Sequence, residues 1–83
     1  MIGNHTLHVT DVLGEVQAEL CRAVTKFPRP QASVHEGYGV LAEEVHEFFL
    51  EVIGNRREAA RKELIQVAAM AIRTIIEVSD KPR

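Results

Sequence analysis

Six side chains in the second half of the chain have the types and spacing that metal chemistry uses: Glu43, Glu44, Glu47, Glu51, Glu63 and Gln66. At about 100° per helical residue, Glu44, Glu51 and Glu47 fall about 60°, 80° and 120° to one side of Leu41, along the edge of an apolar stripe. Glu43 lies about 40° further round, where it is more exposed. Gly54-Asn55 reads as a turn that folds two helices into an antiparallel hairpin. Residues equidistant from such a turn lie level, so Glu47 and Glu63 face each other, with Glu44 and Gln66 one turn further along. Carboxylates converging at the edge of a core repel one another and take raised pKa values unless a cation neutralises them. Hard oxygen donors suit Mg²⁺ or Mn²⁺. From spacing alone the signal is weak, because many helices carry glutamates three apart on a solvated face.

The charge distribution adds to this. The chain has 83 residues and a formal net charge of −2, from 10 basic and 12 acidic side chains. From Pro30 to Asn55 there is no lysine or arginine, but there are five glutamates, including Glu36; Arg56, Arg57, Arg61 and Lys62 then follow closely. An acidic block beside a basic cluster suggests a cation site next to an anion site, or else two solvated helix faces. The balance argues against broad nucleic-acid binding, which needs a basic face.

The elements that must position these residues are three helices. Thr10 or Asp11 can cap the first, after a lead-in over residues 1–9. Its apolar positions are Val9, Val12, Leu13, Val16, Leu20, Val24 and Phe27, at amphipathic spacing. Pro28 and Pro30 end it. The second helix opens on Ser33-Val34-His35-Glu36, a capping box, and carries Val34, Tyr38, Leu41, Val45, Phe48 and Val52. Gly37 and Gly39 in its first turns indicate either fraying or the close approach of a ligand or another backbone. Asn55 and Glu58 can cap the third helix. Its centre, Val67-Ala68-Ala69-Met70-Ala71, is apolar nearly all round and suits packing on more than one side. Residues 79–83 read as a loose polar tail.

The expected fold is therefore a single all-α domain over residues 1–83, a bundle of three main helices. Apolar residues make up 46% of this short chain, so apolar surface is left over and self-association as a homodimer completes the bundle. The single cysteine, Cys21, fits a reducing cytoplasm and reads as a buried thiol. With no leader-like segment and no apolar run of membrane length, a cytoplasmic protein is expected.

The strings Leu41-Ala42-Glu43-Glu44-Val45-His46-Glu47-Phe48 and Glu63-Leu64-Ile65-Gln66-Val67-Ala68-Ala69-Met70-Ala71 resemble the MazG superfamily of all-α nucleotide pyrophosphohydrolases. The resemblance covers about residues 34–76. The family motif is two glutamates three apart, a gap, then glutamate and aspartate three apart. Glu44 and Glu47 match the first pair and Glu63 the next acid, while Gln66 stands where the family has aspartate.

The resemblance implies a Mg²⁺-dependent enzyme that splits nucleoside triphosphates into a monophosphate and pyrophosphate, with its site assembled in a homodimer. Glu44, Glu47, Glu63 and Gln66 would hold the metal, and Glu43 or Glu47 would serve the attacking water. Lys62, Arg61 or Arg73 would meet phosphate oxygens, unless they make ordinary helix salt bridges. Gln66 offers a neutral oxygen but no charge. The site would then borrow a carboxylate from Glu36, Glu43 or Glu51, or the chain is a helical dimerisation or adaptor module that kept the scaffold without the chemistry.

Other polar and aromatic residues have structural readings. His5 and His8 sit three apart in the lead-in, and His46 is one turn from Glu43 on a helix surface. His35, beside the glycines, could touch a nucleotide. Tyr38 and Phe48 are spaced as core residues.

Overall fold

The computed structural model describes residues 2–81, with side chains from residue 8 onward, and all its regular structure there is helical: α1 Ile2–Lys26, α2 Val34–Ile53 and α3 Arg57–Val78. The lead-in expected over residues 1–9 is not a separate segment, because α1 already begins at Ile2, ahead of the Thr10 and Asp11 caps. It ends before Pro28, which has no backbone N–H to continue the ladder. His5 lies outside the described side chains, and His8 is exposed.

α2 starts as its sequence predicts. Ser33 is extended (φ −157°, ψ 166°) and its hydroxyl accepts from the Glu36 backbone N–H at 3.1 Å. The reciprocal half of the capping box shifts by one residue, since the Glu36 carboxylate accepts from the N–H of Ala32 instead of Ser33. The helix stops in a Schellman turn. Asn55 takes the left-handed conformation (φ 59°), its N–H bonds to Val52 O, and the Arg56 N–H bonds to Glu51 O. Asn55 is therefore spent on ending α2. The N-cap of α3 is Arg56, which gives no side-chain cap, so the expected Asn55/Glu58 cap does not form.

α3 lies in the middle. Among the described residues α1 and α2 each pack on α3 and not on each other. Arg61 of α3 pairs with Glu15 of α1, and Arg73 donates to the Phe27 carbonyl. Both links span 46 residues, so α1 runs parallel to α3 while α2 runs antiparallel to it. This explains the small-residue centre of α3: Ala69 is fully buried and Met70 nearly so, because that segment has a helix on each side. Gly37 is buried where α2 crosses α3. A Cβ there would stand 2.7 Å from Thr74 Cγ2. The close approach that the glycine suggested is thus made by α3 itself. Gly39 faces open space.

Arg73 locks α1 to α3. It is 5% exposed, and its guanidinium donates to the carbonyls of Ala23, Phe27 and Arg29 and to the Glu77 carboxylate. Ala23 lies in the last turn of α1 and Phe27 directly follows its last residue, where a cation also opposes the negative end of the helix dipole. Glu77 accepts from the Gln31 N–H as well, and the Lys81 ammonium donates to the Gln31 carbonyl. The tail is thus tied down as far as Lys81, contrary to the loose segment expected from its polarity.

The fully covered apolar core is small: Val16, Ala69, Met70 and Val78. Several positions expected to be core are exposed, among them Val9, Val12, Leu13 and Val24 on α1, Phe27 just after it, and Tyr38 and Val45 on α2. Each outer helix has one neighbour only, so an apolar stripe wider than one contact is left partly bare. Cys21, expected to be buried, is exposed for the same reason. No described helix is long and apolar enough to cross a membrane.

Candidate functional site

The α2–α3 hairpin brings Glu44, Glu47 and Glu63 together. Each offers a carboxylate oxygen, and the three oxygens lie within 4.8 Å of one another. Glu44 and Glu63 are half-buried and Glu47 is exposed. The Schellman turn sets this register by ending α2 and starting α3 with the two helices level.

Burial raises the pKa of Glu44, and the neighbouring charges of Glu47, Glu63, Glu19 and Glu43 add to the effect. Burial also raises that of Glu63, helped by the Glu47 charge, a hydrogen bond with Glu47 and the charge of Glu51, while Lys62 acts in the opposite sense. This is the frustration expected of carboxylates gathered at one spot.

Gln66 closes the fourth side. With its amide oriented so that every partner is satisfied, its nitrogen donates to Glu44 Oε2 at 2.9 Å and to Glu63 Oε2 at 3.1 Å. An aspartate there would add a fourth negative charge. The glutamine instead ties two carboxylates together and stabilises their ionised forms, opposing part of the upward pKa pressure.

Glu36 and Glu51, considered as replacement charges, are engaged elsewhere: Glu36 accepts from Ala32 N–H, and Glu51 pairs with Arg56 at the turn. The charges of Glu51 and Glu43 are nonetheless felt at Glu63 and Glu44, and a further carboxylate joins them: Glu19, on α1, acts on Glu44 across the gap between α1 and α2 and is bonded to Arg22 at 2.7 Å. Sequence reasoning missed it because nothing in the local pattern says which face of α1 turns towards the hairpin.

That gap is a cleft of about 700 Å³. Glu44, Gln66 and Glu43 line it from the hairpin, and Arg22, Lys26 and Arg29 from the end of α1 and the following segment. The cleft reaches the carboxylate cluster through Glu44 and Gln66; Glu47 and Glu63 stand beyond its lining. Its lining thus mixes carboxylates, Glu19 and Glu36 among them, with these basic side chains.

The expected phosphate-binding residues fare differently. Arg73 has its guanidinium committed to three carbonyls and Glu77, which removes it as a phosphate ligand. Arg61 is exposed and paired through both terminal nitrogens with Glu15. Lys62 is exposed and close enough to Glu63 for its charge to be felt. The sequence placed the anion partners on α3, and the structure adds those on α1. Glu43 is exposed on the cleft rim, as expected. Tyr38 is 72% exposed and not core, whereas Phe48 is half-buried.

The donor set is all oxygen. Ligands around a cation at about 2.1 Å lie roughly 3–4 Å apart, so small side-chain rotations would let the three carboxylates share one ion. Gln66 could join them through its oxygen if its amide turned over. No protein-family model, curated protein or solved structure matches this chain.

Proposed function

We propose that the chain is a Mg²⁺-dependent nucleoside triphosphate pyrophosphohydrolase of the MazG-like kind, a homodimer working in the cytoplasm. The observation that carries this reading is the meeting of Glu44, Glu47 and Glu63 across the hairpin, at the positions where the sequence resembles the family motif. Mg²⁺, or Mn²⁺ in its place, would supply positive charge between these carboxylates and the phosphates of the substrate.

The chain's own groups divide the remaining work. Glu43 on the cleft rim and Glu47 within the cluster are the candidate bases for the attacking water, either able to take its proton. Arg22, Lys26 and Arg29 give the cleft an anion-binding end, and Lys62 flanks the cluster from α3. Glu44, Glu47 and Glu63 would hold the cation, and Gln66 sets the spacing between Glu44 and Glu63.

A second reading draws on the same contact. Gln66 satisfies Glu44 and Glu63 without any ion, which favours a scaffold that has exchanged catalysis for a self-sufficient polar clasp, a helical dimerisation or adaptor module. Pyrophosphate release from a panel of nucleoside triphosphates, with and without Mg²⁺, separates the two. Release that requires Mg²⁺ and falls at least about a hundredfold in Glu47→Gln is the outcome expected of the enzyme. A folded protein that releases nothing from any nucleotide supports the adaptor.

A further inference from the structure

The carboxylate cluster sits on two helices, but the third helix reaches the same level. Glu15 meets Arg61 and Phe27 meets Arg73, both 46 residues apart. The same offset places Glu19 of α1 level with Ile65 and Gln66 of α3, and Gln66 in turn spans to Glu44 of α2. Glu19, Gln66 and Glu44 all line the cleft between α1 and α2. The charge of Glu19 is felt at Glu44 across it.

Glu19 is held in a way that leaves it available. Arg22, one turn on, donates from Nε at 3.1 Å and from Nη2 at 2.7 Å, both to Oε1. The Glu19 side chain is 21% exposed, whereas that of Arg22 is 66% exposed. The carboxylate is thus drawn under cover while its partner stays in solvent. An ion pair with so exposed a partner is weak and is exchanged at little cost.

Gln66 leaves room for another charge at this level. Its nitrogen faces Glu44 and Glu63, so α3 brings no negative charge at that position. Hard divalent cations are bound through carboxylate oxygens. Glu36 and Glu51 are already engaged at the two ends of α2. The cleft carries an independent mark of a polar occupant as well. Gln31, which lines it, is 7% exposed, and its Oε1 has no hydrogen-bond partner in the chain. Buried polar atoms are ordinarily paired.

We infer that Glu19 supplies the carboxylate that Gln66 lacks: when a divalent cation occupies the Glu44, Glu47 and Glu63 cluster, Glu19 leaves Arg22 for the cation. The inference rests on the proposed metal site and adds to it a ligand from outside the hairpin. It has two consequences. α1 and α2, which do not pack on each other among the described residues, become joined through the ion. Arg22, once released, is free to meet a phosphate in the same cleft.

Mn²⁺ binding to the full chain tests this, read from the paramagnetic resonance signal of the free ion, with circular dichroism as the check on folding. The wild type is expected to bind, and Glu47→Gln to bind much more weakly. Glu19→Gln is expected to weaken binding at least about tenfold. Glu19→Asp keeps the charge but shortens the reach by one methylene, and is expected to weaken binding comparably. If Glu19→Gln does not fold, Arg22→Met makes the measurement in the opposite sense, because freeing Glu19 should tighten Mn²⁺.

Mn²⁺ bound by Glu19→Gln as tightly as by the wild type overturns the inference. So does wild-type affinity in Glu19→Asp, which would mean that the charge acts from a distance, or an unchanged affinity in Arg22→Met. In each of these cases the hairpin site and the proposed enzyme still stand. A wild type that binds no Mn²⁺ overturns both. Binding that depends on Glu19, without pyrophosphate release from any nucleotide, supports the fourth ligand and refutes the enzyme.

Discussion

With its amide turned to satisfy its neighbours, the nitrogen of Gln66 stands 2.9 Å from Oε2 of Glu44, across the hairpin from one helix to the other. Its second contact, 3.1 Å to Glu63, makes the side chain a neutral bridge between two like charges. Gln66→Asp removes both donated hydrogen bonds and adds a fourth negative charge to the cluster. Without a divalent cation this is expected to lower stability at neutral pH by about 1–3 kcal/mol. Mn²⁺ should then raise the melting temperature of Gln66→Asp more than that of the wild type. A variant as stable as the wild type in chelator would show that the bridge is not made.

The cluster also fixes a pH dependence. Glu44 and Glu63 have pKa values raised above 4.5, by burial first and by neighbouring carboxylates second. The folded chain therefore binds protons on them more readily than the unfolded chain does. Their effect is unfavourable at neutral pH and fades as pH falls through the raised values towards 4.5. Glu15, lowered by its hydrogen bonds to Arg61, behaves in the opposite sense: its contribution is present above 4.5 and is lost at lower pH, through its depressed value. The two windows do not overlap. Thermal melts in chelator should show stability rising as pH falls from neutral towards 4.5, then falling below it. Glu44→Gln should flatten the rise without moving the fall.

Arg73 is expected to matter for stability and not for phosphate binding. Arg73→Met leaves the Ala23, Phe27 and Arg29 carbonyls and the Glu77 carboxylate without its donors. A loss of about 3 kcal/mol or more in urea unfolding is expected. Arg73→Lys should recover only part, because an ammonium cannot reproduce the guanidinium fork. A midpoint unchanged in Arg73→Met would contradict the buried role.

Gly37 and Gly39 make an internal control. Gly37→Ala places a methyl 2.7 Å from Thr74 Cγ2 and should cost about 1–3 kcal/mol. Gly39→Ala meets nothing within 4 Å and should stabilise α2 by up to about 1 kcal/mol. Opposite signs in paired denaturation curves are the expected result.

Much of the hairpin was legible in the sequence because its determinants are local. The Ser33 cap, the Gly54-Asn55 turn and the three-and-four spacing of the glutamates each depend on residues within a few positions. Placing Glu47 level with Glu63 needed only the turn and the helical repeat. What escaped depends on contacts between distant segments. Glu19 reaches the cluster, and Arg73 is buried, because α1 docks on α3 with one particular face, which periodicity cannot choose. The exposure of Tyr38 and Cys21 has the same origin: amphipathic spacing says that a stripe is apolar, not how many neighbours cover it.

Among the described residues α1 touches α3 but not α2, an arrangement that predicts two cooperative units. The hairpin closes through contacts near in sequence, whereas the links to α1 join residues 46 and 50 apart. α1 can thus come away as a block while α2 and α3 keep their mutual packing, at a free-energy cost below that of global unfolding. Amide hydrogen exchange should resolve this as one common, faster opening for α1 and a slower one for the middle of α3. Each such opening removes the wall that carries Glu19, Arg22 and Lys26, and the groove beside Glu44 briefly becomes an open face.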